Sequence, residues 1–270
     1  VDEDWNLIGD TGSNPRARYS VHFHRNGVNA DSPPATVHSS VVNGSPGWGF
    51  VNHSSYIDFT SNVSYGVNGA AFVAEAGDEI GLFDGNLALN TTGTSADVDS
   101  RVGEQDFGFN GDGFWLQSPG VTVVNNIASG STGSAFIYYT RGLRFGSDEI
   151  SFLAENLDDP TIAAGSDTLP VISTPIKKFE GNVGYASQTG LTIRYNLRGA
   201  THSGLSVVSD STFWNNEIGV DLPYANHAVL RDLVVLVDPS SNELNGVNNN
   251  AQTRSITYEN LRVGGYQRGL

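Results

Sequence analysis

The sequence predicts a right-handed parallel β-helix, an all-β solenoid in which short strands wind into stacked coils. The first observation is a repeat: Gly49 and Gly69 lie 20 residues apart, as do Gly113 and Gly133, and each glycine precedes a short apolar segment. The second is that no helical period of 3.6 residues runs through the apolar residues. A period of roughly 20 to 24 residues with short strands indicates a solenoid of β-coils.

A recurring asparagine beside an apolar or small residue is the third observation. Asn43 and Asn62 are 19 residues apart, and Asn62 and Asn86 are 24 apart. Further members of this set are Asn126, Asn182, Asn215 and Asn216. An asparagine at the same corner of successive coils can adopt the left-handed backbone and hydrogen-bond through its amide to the next coil. We therefore expect an amide ladder between parallel coils about 4.8 Å apart.

A single domain is expected over residues 1–270. The sequence begins at Val1 without Met or a signal peptide, so we expect it to be a segment of a larger protein. The alternative fold is an antiparallel sandwich, which needs regularly spaced two-residue hairpins. The Asn-Gly and Asp-Gly pairs at residues 43, 84 and 245 do not separate matched strands, and this favours the β-helix.

Two stretches interrupt the repeat and predict two long loop insertions. Residues 91–112 are polar and acidic, and residues 139–178 contain Pro160, Pro170 and Pro175. Insertions in a rigid solenoid tend to lie over one face, often the binding face. The alternative interpretation is surface decoration without function.

The charge of the chain restricts its partners. With 14 Lys and Arg against 29 Asp and Glu, the formal net charge is −15, which repels phosphate backbones. We therefore predict no nucleic-acid partner. No apolar run approaches the roughly 18 residues of a membrane span, so no membrane insertion is predicted. The absence of Cys excludes disulfides and thiolate chemistry. The oligomeric state is left open.

A family resemblance begins at residues 17–24, which read A-R-Y-S-V-H-F-H. This segment resembles the R-Y-P-[VI]-H-F-H signature of the cell-migration-inducing hyaluronidase family, which includes transmembrane hyaluronidase-like and fibrocystin-like proteins. Residues 62–65 and 69–77 are similar to the family's N-V-A-Y and G-H-A-F-F-x-E-D-G motifs, and the likeness extends from residue 15 to about residue 235. The resemblance implies an extracellular or cell-surface β-helix that binds or acts on hyaluronan-like glycosaminoglycans.

Three positions depart from these motifs. The histidine of G-H-A-F-F is Ala70, the acidic residue after the glutamate is Ala76, and the histidine of V-T-V-H-G falls on Asn52. Residues His22, His24 and Glu75 are retained. The combination is compatible with family activity, with a diverged substrate or with binding alone.

The two histidines of the signature are the strongest candidates for chemistry. Alternate residues of a strand share a face, so His22 and His24 point together while Phe23 points into the core. Such a pair can ligate a metal, act as acid and base near neutral pH, or simply lie on the surface. A metal would need a third ligand, for which the candidates are Glu75, His38 and His53. The metal itself stays unknown.

We predict His22, His24 and Glu75 as catalytic residues for a glycosidase or a lyase. Hydrolysis needs two carboxyl groups about 5–9.5 Å apart, with Asp78 or Asp112 as the partner of Glu75. Elimination at a uronate needs a base and a nearby cation instead. Acidic residues at Asp97, Asp99, Glu104 and Asp106 make Ca²⁺ the one cofactor considered, although they lack EF-hand spacing and solvated surface charge is the better explanation for them.

A ribbon of substrate-binding side chains is predicted along one wall of the solenoid, because sugar rings stack on aromatic groups and their hydroxyls need polar partners. Its members are Arg18, Asn52, His53, Trp115, Gln117, Phe136, Tyr138 and Arg194. This assignment puts Phe72, Ala74 and Phe136 outside and Val51, Val73 and Ile137 inside. A slip of one residue would exchange the two faces.

The predicted function is an extracellular carbohydrate-active domain that binds, and in the enzyme interpretation depolymerises, a hyaluronan-like or other acidic polysaccharide. The alternative is a non-catalytic adhesin or structural segment of a larger cell-surface protein. This alternative is suggested by Ala70 and Ala76, which replace a histidine and an acidic residue of the family motif.

Overall fold

The structure is a computed structural model that describes residues 19–93, 108–141, 151–249 and 252–270. Its strands form eight successive coils, and each coil adds one strand to each of three parallel sheets, named A, B and C here. Strand β4 is long enough to serve both A and B in the second coil.

Sheet A consists of β1 (Val21–Gly27), the first part of β4 (Phe50–Thr60), β6 (Ala70–Ala74), β9 (Asp112–Leu116), β12 (Ser134–Tyr139), β17 (Thr189–Arg194), β20 (Ile218–Asp221) and β23 (Asn245–Asn248). Sheet B consists of β2 (Ala35–His38), the second part of β4, β7 (Ile80–Asp84), β10 (Val121–Val124), β15 (Lys178–Glu180), β18 (Ser206–Ser209), β21 (Asn226–Arg231) and β24 (Arg254–Glu259). Sheet C consists of β3 (Val41–Asn43), β5 (Val63–Tyr65), β8 (Leu87–Leu89), β11 (Ile127–Ser129), β16 (Val183–Tyr185), β19 (Thr212–Trp214), β22 (Val234–Leu236) and β25 (Arg262–Gly264).

Every described strand pair within these three sheets is parallel, so each coil lies directly on the one before it. This confirms the predicted parallel β-helix and excludes the antiparallel sandwich. Residues about one coil apart in sequence therefore become neighbours about 4.8 Å apart.

A stack of phenylalanines fills the interior behind sheet A. The rings of Phe50, Phe72, Phe114 and Phe136 follow one another with centroids 4.9, 4.8 and 4.8 Å apart and interplanar angles of 4°, 11° and 14°. All four side chains are fully buried. Since each coil is too thin to bury an aromatic ring alone, this shared stack is a main source of cohesion between coils.

The predicted asparagine ladder is present at the corner between sheets B and C. The Oδ1 atom of Asn86 accepts hydrogen bonds from the backbone N–H (3.0 Å) and the amide (3.1 Å) of Asn62, and the same pattern continues through Asn126 to Asn182. The predicted left-handed backbone falls one position earlier, on residues such as Ser61 and Asn125, each with φ of 55°. The ladder asparagine itself supplies the side-chain bonds.

Both faces of sheet A are covered by apolar side chains. Every residue of β6, β9 and β12 is buried. Phe72, Phe136 and Tyr138 belong to the interior, whereas Val51, Val73 and Ile137 belong to a separate outer apolar cluster that also contains Trp48, Phe109, Trp115, Tyr139 and Tyr195. The predicted inside–outside assignment of these residues was therefore wrong by one position.

The second predicted insertion has structure of its own. An antiparallel pair is formed by β13 (Ser151–Leu153) and β14 (Thr168–Pro170), with short 3-10 helices at Ala154–Asn156, Pro160–Ala163 and Val171–Ser173. The Phe152 ring covers Gly120 so closely that a Cβ at residue 120 would lie 2.1 Å from the ring. The insertion is thus packed against the coils.

Most of the first predicted insertion, residues 94–107, lies outside the described residues. The 3-10 helices of the described residues run for three or four residues each, and no described helix could cross a membrane.

Candidate functional site

Three successive coils bring polar side chains together on the outer face of sheet A. In the register of β1 against β4, His24 pairs with His53. The backbone N–H of Glu75, in the third coil, donates to the carbonyl of Asn52 in the second coil. Because alternate residues share a face, the side chains of His22, His24, His53 and Glu75 all point away from the interior. We refer to these four residues as the histidine–glutamate cluster.

Glu75 lies at the centre of this cluster. Its Oε2 atom is 3.1 Å from Nδ1 of His53 and 3.9 Å from Nε2 of His22. The side chain of Glu75 is only 5% exposed, while those of His53 and His22 are 12% and 26% exposed. The carboxylate is therefore at the base of the cluster and the imidazoles form its solvent side.

Ring contacts hold the imidazoles in place. The His24 ring packs edge-on against His53 with centroids 4.6 Å apart, and His22 contacts His24 at 5.3 Å. Tyr19 packs edge-on against His22 at 4.5 Å, and its hydroxyl donates a long hydrogen bond of 3.5 Å to Oε1 of Glu75. Tyr19 in turn stacks on Trp48. An aromatic wall therefore bounds one side of the cluster.

The pKa values of the two imidazoles nearest Glu75 are shifted in opposite directions. Burial lowers the pKa of His22, and the neighbouring His24 and His53 add to this effect against the attraction of Glu75. For His53, burial would also lower the pKa, but the adjacent Glu75 carboxylate outweighs it and raises the pKa above its ordinary value. The environment thus gives different pKa values to two histidines that would otherwise have the same one.

A buried carboxyl group supports the cluster from below. Oε1 of Glu79 accepts hydrogen bonds from the backbone N–H groups of Ser54 and Ala76, and Oε2 accepts one from Gly77. Two of these donors, Ser54 and Ala76, directly follow His53 and Glu75 in sequence. Glu79 therefore fixes the backbone of both residues, although it does not reach the cluster surface.

Burial raises the pKa of Glu79 to about 7, with a further contribution from the charge of Asp78, against the opposing effect of the three N–H donors. Because the ordinary pKa is 4.5, the native state binds the extra proton between about pH 4.5 and pH 7. The stabilisation associated with that proton is complete below pH 4.5 and is lost as pH rises through about 7.

We expect the free energy of unfolding of the native sequence, relative to a Glu79→Gln variant, to fall by on the order of 3 kcal/mol between about pH 5 and about pH 8. Gln does not titrate, while Asp78 and His53, the titrating neighbours, are present in both proteins. Urea unfolding at the two pH values measures the difference. A difference that is constant, or that grows with pH, would contradict the raised pKa.

The remaining predicted site residues do not join the cluster, and Arg18 lies outside the described residues. Trp115 and Gln117 are on the outer face of sheet A but are fully buried. Phe136 and Tyr138 lie in the interior, as does Asn52, whose amide donates to the carbonyl of Ile80. Interior side chains cannot contact a polysaccharide, so the predicted ribbon is not continuous.

Arg194 lies on the outer face of sheet A, three coils beyond Glu75. Its guanidinium is 5.8 Å from the ring centroid of Tyr139 and 5.4 Å from that of Tyr195. Arg141 and Arg198 contact the same Tyr195 ring at 4.7 and 5.9 Å. This second polar feature is a group of guanidinium–tyrosine contacts separated from the cluster by the buried Gln117.

A concavity of about 390 Å³ lies on sheet B beneath the second insertion. Its lining includes Phe152, Ile162, Pro175, Lys177 and Leu205. It is more apolar than the cluster, and Lys177 pairs with Asp158 at its edge.

Two contributors were missed by sequence reasoning. Tyr19 belongs to the quoted signature, and its position two residues before the start of β1 could have suggested a contact with His22. Glu79 carried no signal, because a buried carboxylate that accepts backbone N–H groups looks like an ordinary loop acid in sequence. The acidic residues considered for Ca²⁺ at 97, 99, 104 and 106 lie outside the described residues, so that cofactor stays a prediction.

The fold and the cluster define a class: a parallel β-helix that carries an imidazole–carboxylate cluster on an outer face of its first coils. The family model described as CEMIP beta-helix matches residues 7–191, which is more than half of the chain, and the chain belongs to this family. The match confirms the resemblance to the cell-migration-inducing hyaluronidases. A search of curated proteins gave no significant match.

Proposed function

We propose that this chain is a carbohydrate-active β-helix domain that binds an acidic, hyaluronan-like polysaccharide at the histidine–glutamate cluster and cleaves it there. The observation that carries the proposal is the convergence of His22, His53 and Glu75 from three different coils, with the carboxylate 3.1 and 3.9 Å from the two imidazoles. Membership in the CEMIP beta-helix family supports a carbohydrate-related role.

The chemistry of the cluster suits a glycan. Imidazole N–H groups donate hydrogen bonds to hydroxyl and carboxylate oxygens, and the Glu75 carboxylate accepts them from hydroxyls. Tyr19, which packs beside His22, adds an aromatic side chain of the kind that contacts the apolar C–H face of a sugar ring. Together they supply both kinds of contact that an acidic saccharide requires.

Cleavage needs groups that move protons, and the cluster contains them. In elimination, a base removes the proton at C5 of the uronate, the bond from C4 to the glycosidic oxygen breaks, a C4–C5 double bond forms, and the leaving oxygen takes up a proton. In hydrolysis, water adds across the glycosidic bond without forming a double bond. Imidazoles and a carboxylate can act as acid and base in either route.

The proposed setting is the cell surface or the extracellular space, as the family resemblance implies. An acidic chain with net charge −15 repels an anionic polysaccharide at long range, so binding depends on local cationic groups. Protonated His53, whose pKa is raised by the adjacent Glu75 carboxylate, and the arginines around Tyr195 are candidates for that role.

We expect the chain to release new reducing ends from hyaluronan or a related acidic polysaccharide, and Glu75→Gln to lower the rate at least about a hundredfold. The ultraviolet absorbance of an unsaturated product separates elimination from hydrolysis, and each reaction is run with and without Ca²⁺. Glu217→Gln, an exposed glutamate on a distant coil, is the matched control and should retain full activity. An absence of product from every acidic polysaccharide in a panel would reject the enzyme.

The second candidate is a non-catalytic segment of a larger surface protein. Burial of Trp115, Gln117, Phe136 and Tyr138 favours it, because these side chains leave no continuous open track for a long glycan. Binding without product in the same panel is the result that this candidate predicts.

A further inference from the structure

We propose that His22, His53 and Glu75 form a binding site for a divalent transition-metal ion of the zinc type. The sequence left open which residue, if any, could join a histidine of the signature as ligand, and nothing in the family match assigns a metal. This inference does not depend on polysaccharide cleavage.

The donor set matches the chemistry of such an ion. One nitrogen from each imidazole and one carboxylate oxygen lie within 4.8 Å of one another. Two imidazoles and a carboxylate are a ligand set of zinc sites that keep a fourth position for water. Ca²⁺ instead prefers six to eight oxygen ligands, so two nitrogens argue against it at this place.

The distances need a movement of His22 toward the other two ligands, because the three donor atoms lie within 4.8 Å of one another, wider than in a tetrahedral site. In a tetrahedral site with bonds of about 2.0–2.2 Å, the donor atoms are roughly 3.4 Å apart. The separation of 3.1 Å between Glu75 and His53 is already close to this value, and the 3.9 Å to His22 needs a shift of about half an ångström. His22 is the most exposed of the three and is on the first coil, where such a shift is easiest.

A buried oxygen supplies independent support. Oε2 of Glu75 is inaccessible to solvent and accepts no well-aligned hydrogen bond from the described residues, even though Nδ1 of His53 is close to it. A buried acceptor without an aligned donor is costly, and a cation bound to it removes that cost. This is the same oxygen that faces both imidazoles.

The ligands are held before any ion arrives. His22 and His53 lie on strands of sheet A that are fixed by parallel pairing. Glu75 directly follows β6, its backbone N–H donates to the carbonyl of Asn52, and Glu79 holds the backbone after both His53 and Glu75. The exposed side of His22 leaves room for a water molecule as a fourth ligand. Preorganised ligands with one open position are the geometry of a reactive metal site rather than a closed structural one.

Cobalt(II) provides the direct test, because its visible absorption reports four-coordinate geometry. Untagged protein stripped with EDTA is titrated with CoCl₂. We expect one Co²⁺ per chain, the intense visible bands of a tetrahedral site, displacement by ZnCl₂, and a raised melting temperature with Zn²⁺. Glu75→Gln and His53→Ala should each weaken Co²⁺ binding by at least about a hundredfold, since loss of even an outer partner costs ten- to a hundredfold.

His38→Ala is the matched control. His38 is an exposed histidine on β2 that contacts Thr60 instead of the cluster, so its removal should leave the cobalt spectrum unchanged. Circular dichroism confirms that each variant is folded. Native protein that shows no tetrahedral bands, or binding that survives both ligand substitutions, would overturn the metal site. Co²⁺ binding without polysaccharide cleavage would reject the proposed function and keep the metal site.

Discussion

Replacing Phe114 with Ala should lower the free energy of unfolding by about 4 kcal/mol, because it removes the central ring of the interior stack. Phe114 is fully buried and stacks on Phe72 on one side and on Phe136 on the other, both at 4.8 Å. The loss combines the burial of the ring, the two stacking contacts and the cavity left between rigid coils. Urea unfolding followed by circular dichroism measures it.

The matched control is Trp214→Ala. Trp214 also stacks on an aromatic ring of the neighbouring coil, that of Tyr185 at 4.9 Å, but it is 40% exposed on sheet C. We expect its loss to cost only about 1 kcal/mol. If the two substitutions destabilised the chain equally, the interior stack would not be the main contact between coils.

Replacing Asn126 with Ala should lower the free energy of unfolding by about 4 kcal/mol, through lost hydrogen bonds rather than through lost packing. Its Oδ1 accepts from the backbone N–H and the amide of Asn86, and its own amide donates to the carbonyl of Phe83 and to Oδ1 of Asn182. All of these groups are buried, so the alanine leaves several without partners. The melting temperature and the urea midpoint should both fall.

Asn43→Ala provides the comparison for that experiment. Asn43 belongs to the same sequence repeat but is exposed at the end of β3, outside the ladder. We expect a change within about 0.5 kcal/mol. A comparable loss at both positions would mean that the repeat, and not the ladder, determines the effect.

The architecture was predictable because its causes repeat. Glycines 20 residues apart lie at or near the start of strands of successive coils, and Asn62 and Asn86, 24 residues apart, mark one corner of the solenoid, at which the ladder through Asn62, Asn86 and Asn126 forms. A solenoid has few alternative ways to satisfy such spacing. The spacing of these residues in the sequence is therefore enough to predict the fold.

The orientation of the strands was not predictable, for a physical reason. A period of two reveals the inner face only when the outer face is polar. In β6 and β12 the outer face is covered by the second apolar cluster, so Val73 and Phe72, or Ile137 and Phe136, look equivalent in sequence. The covering groups include Phe109, which is distant from both strands in sequence.

Part of the cluster was predictable because the outer face of β1 is polar and its inner face is apolar. In β1, polar His22 and His24 alternate with Phe23, which packs against the core, so the correct face was evident. The contact between Glu75 and His53 depends on the register of the second coil against the third, which sequence spacing does not define to within one residue. Asn52 was assigned outward for this reason, although it is His53 that reaches Glu75.

A crystal structure with a bound hyaluronan oligosaccharide would show directly which wall of the solenoid binds the glycan. We expect sugar atoms within hydrogen-bond distance of His22 or His24, on the outer face of the first coils of sheet A. An oligosaccharide bound only in the concavity lined by Lys177 and Leu205, with none at the histidine–glutamate cluster, would contradict this expectation.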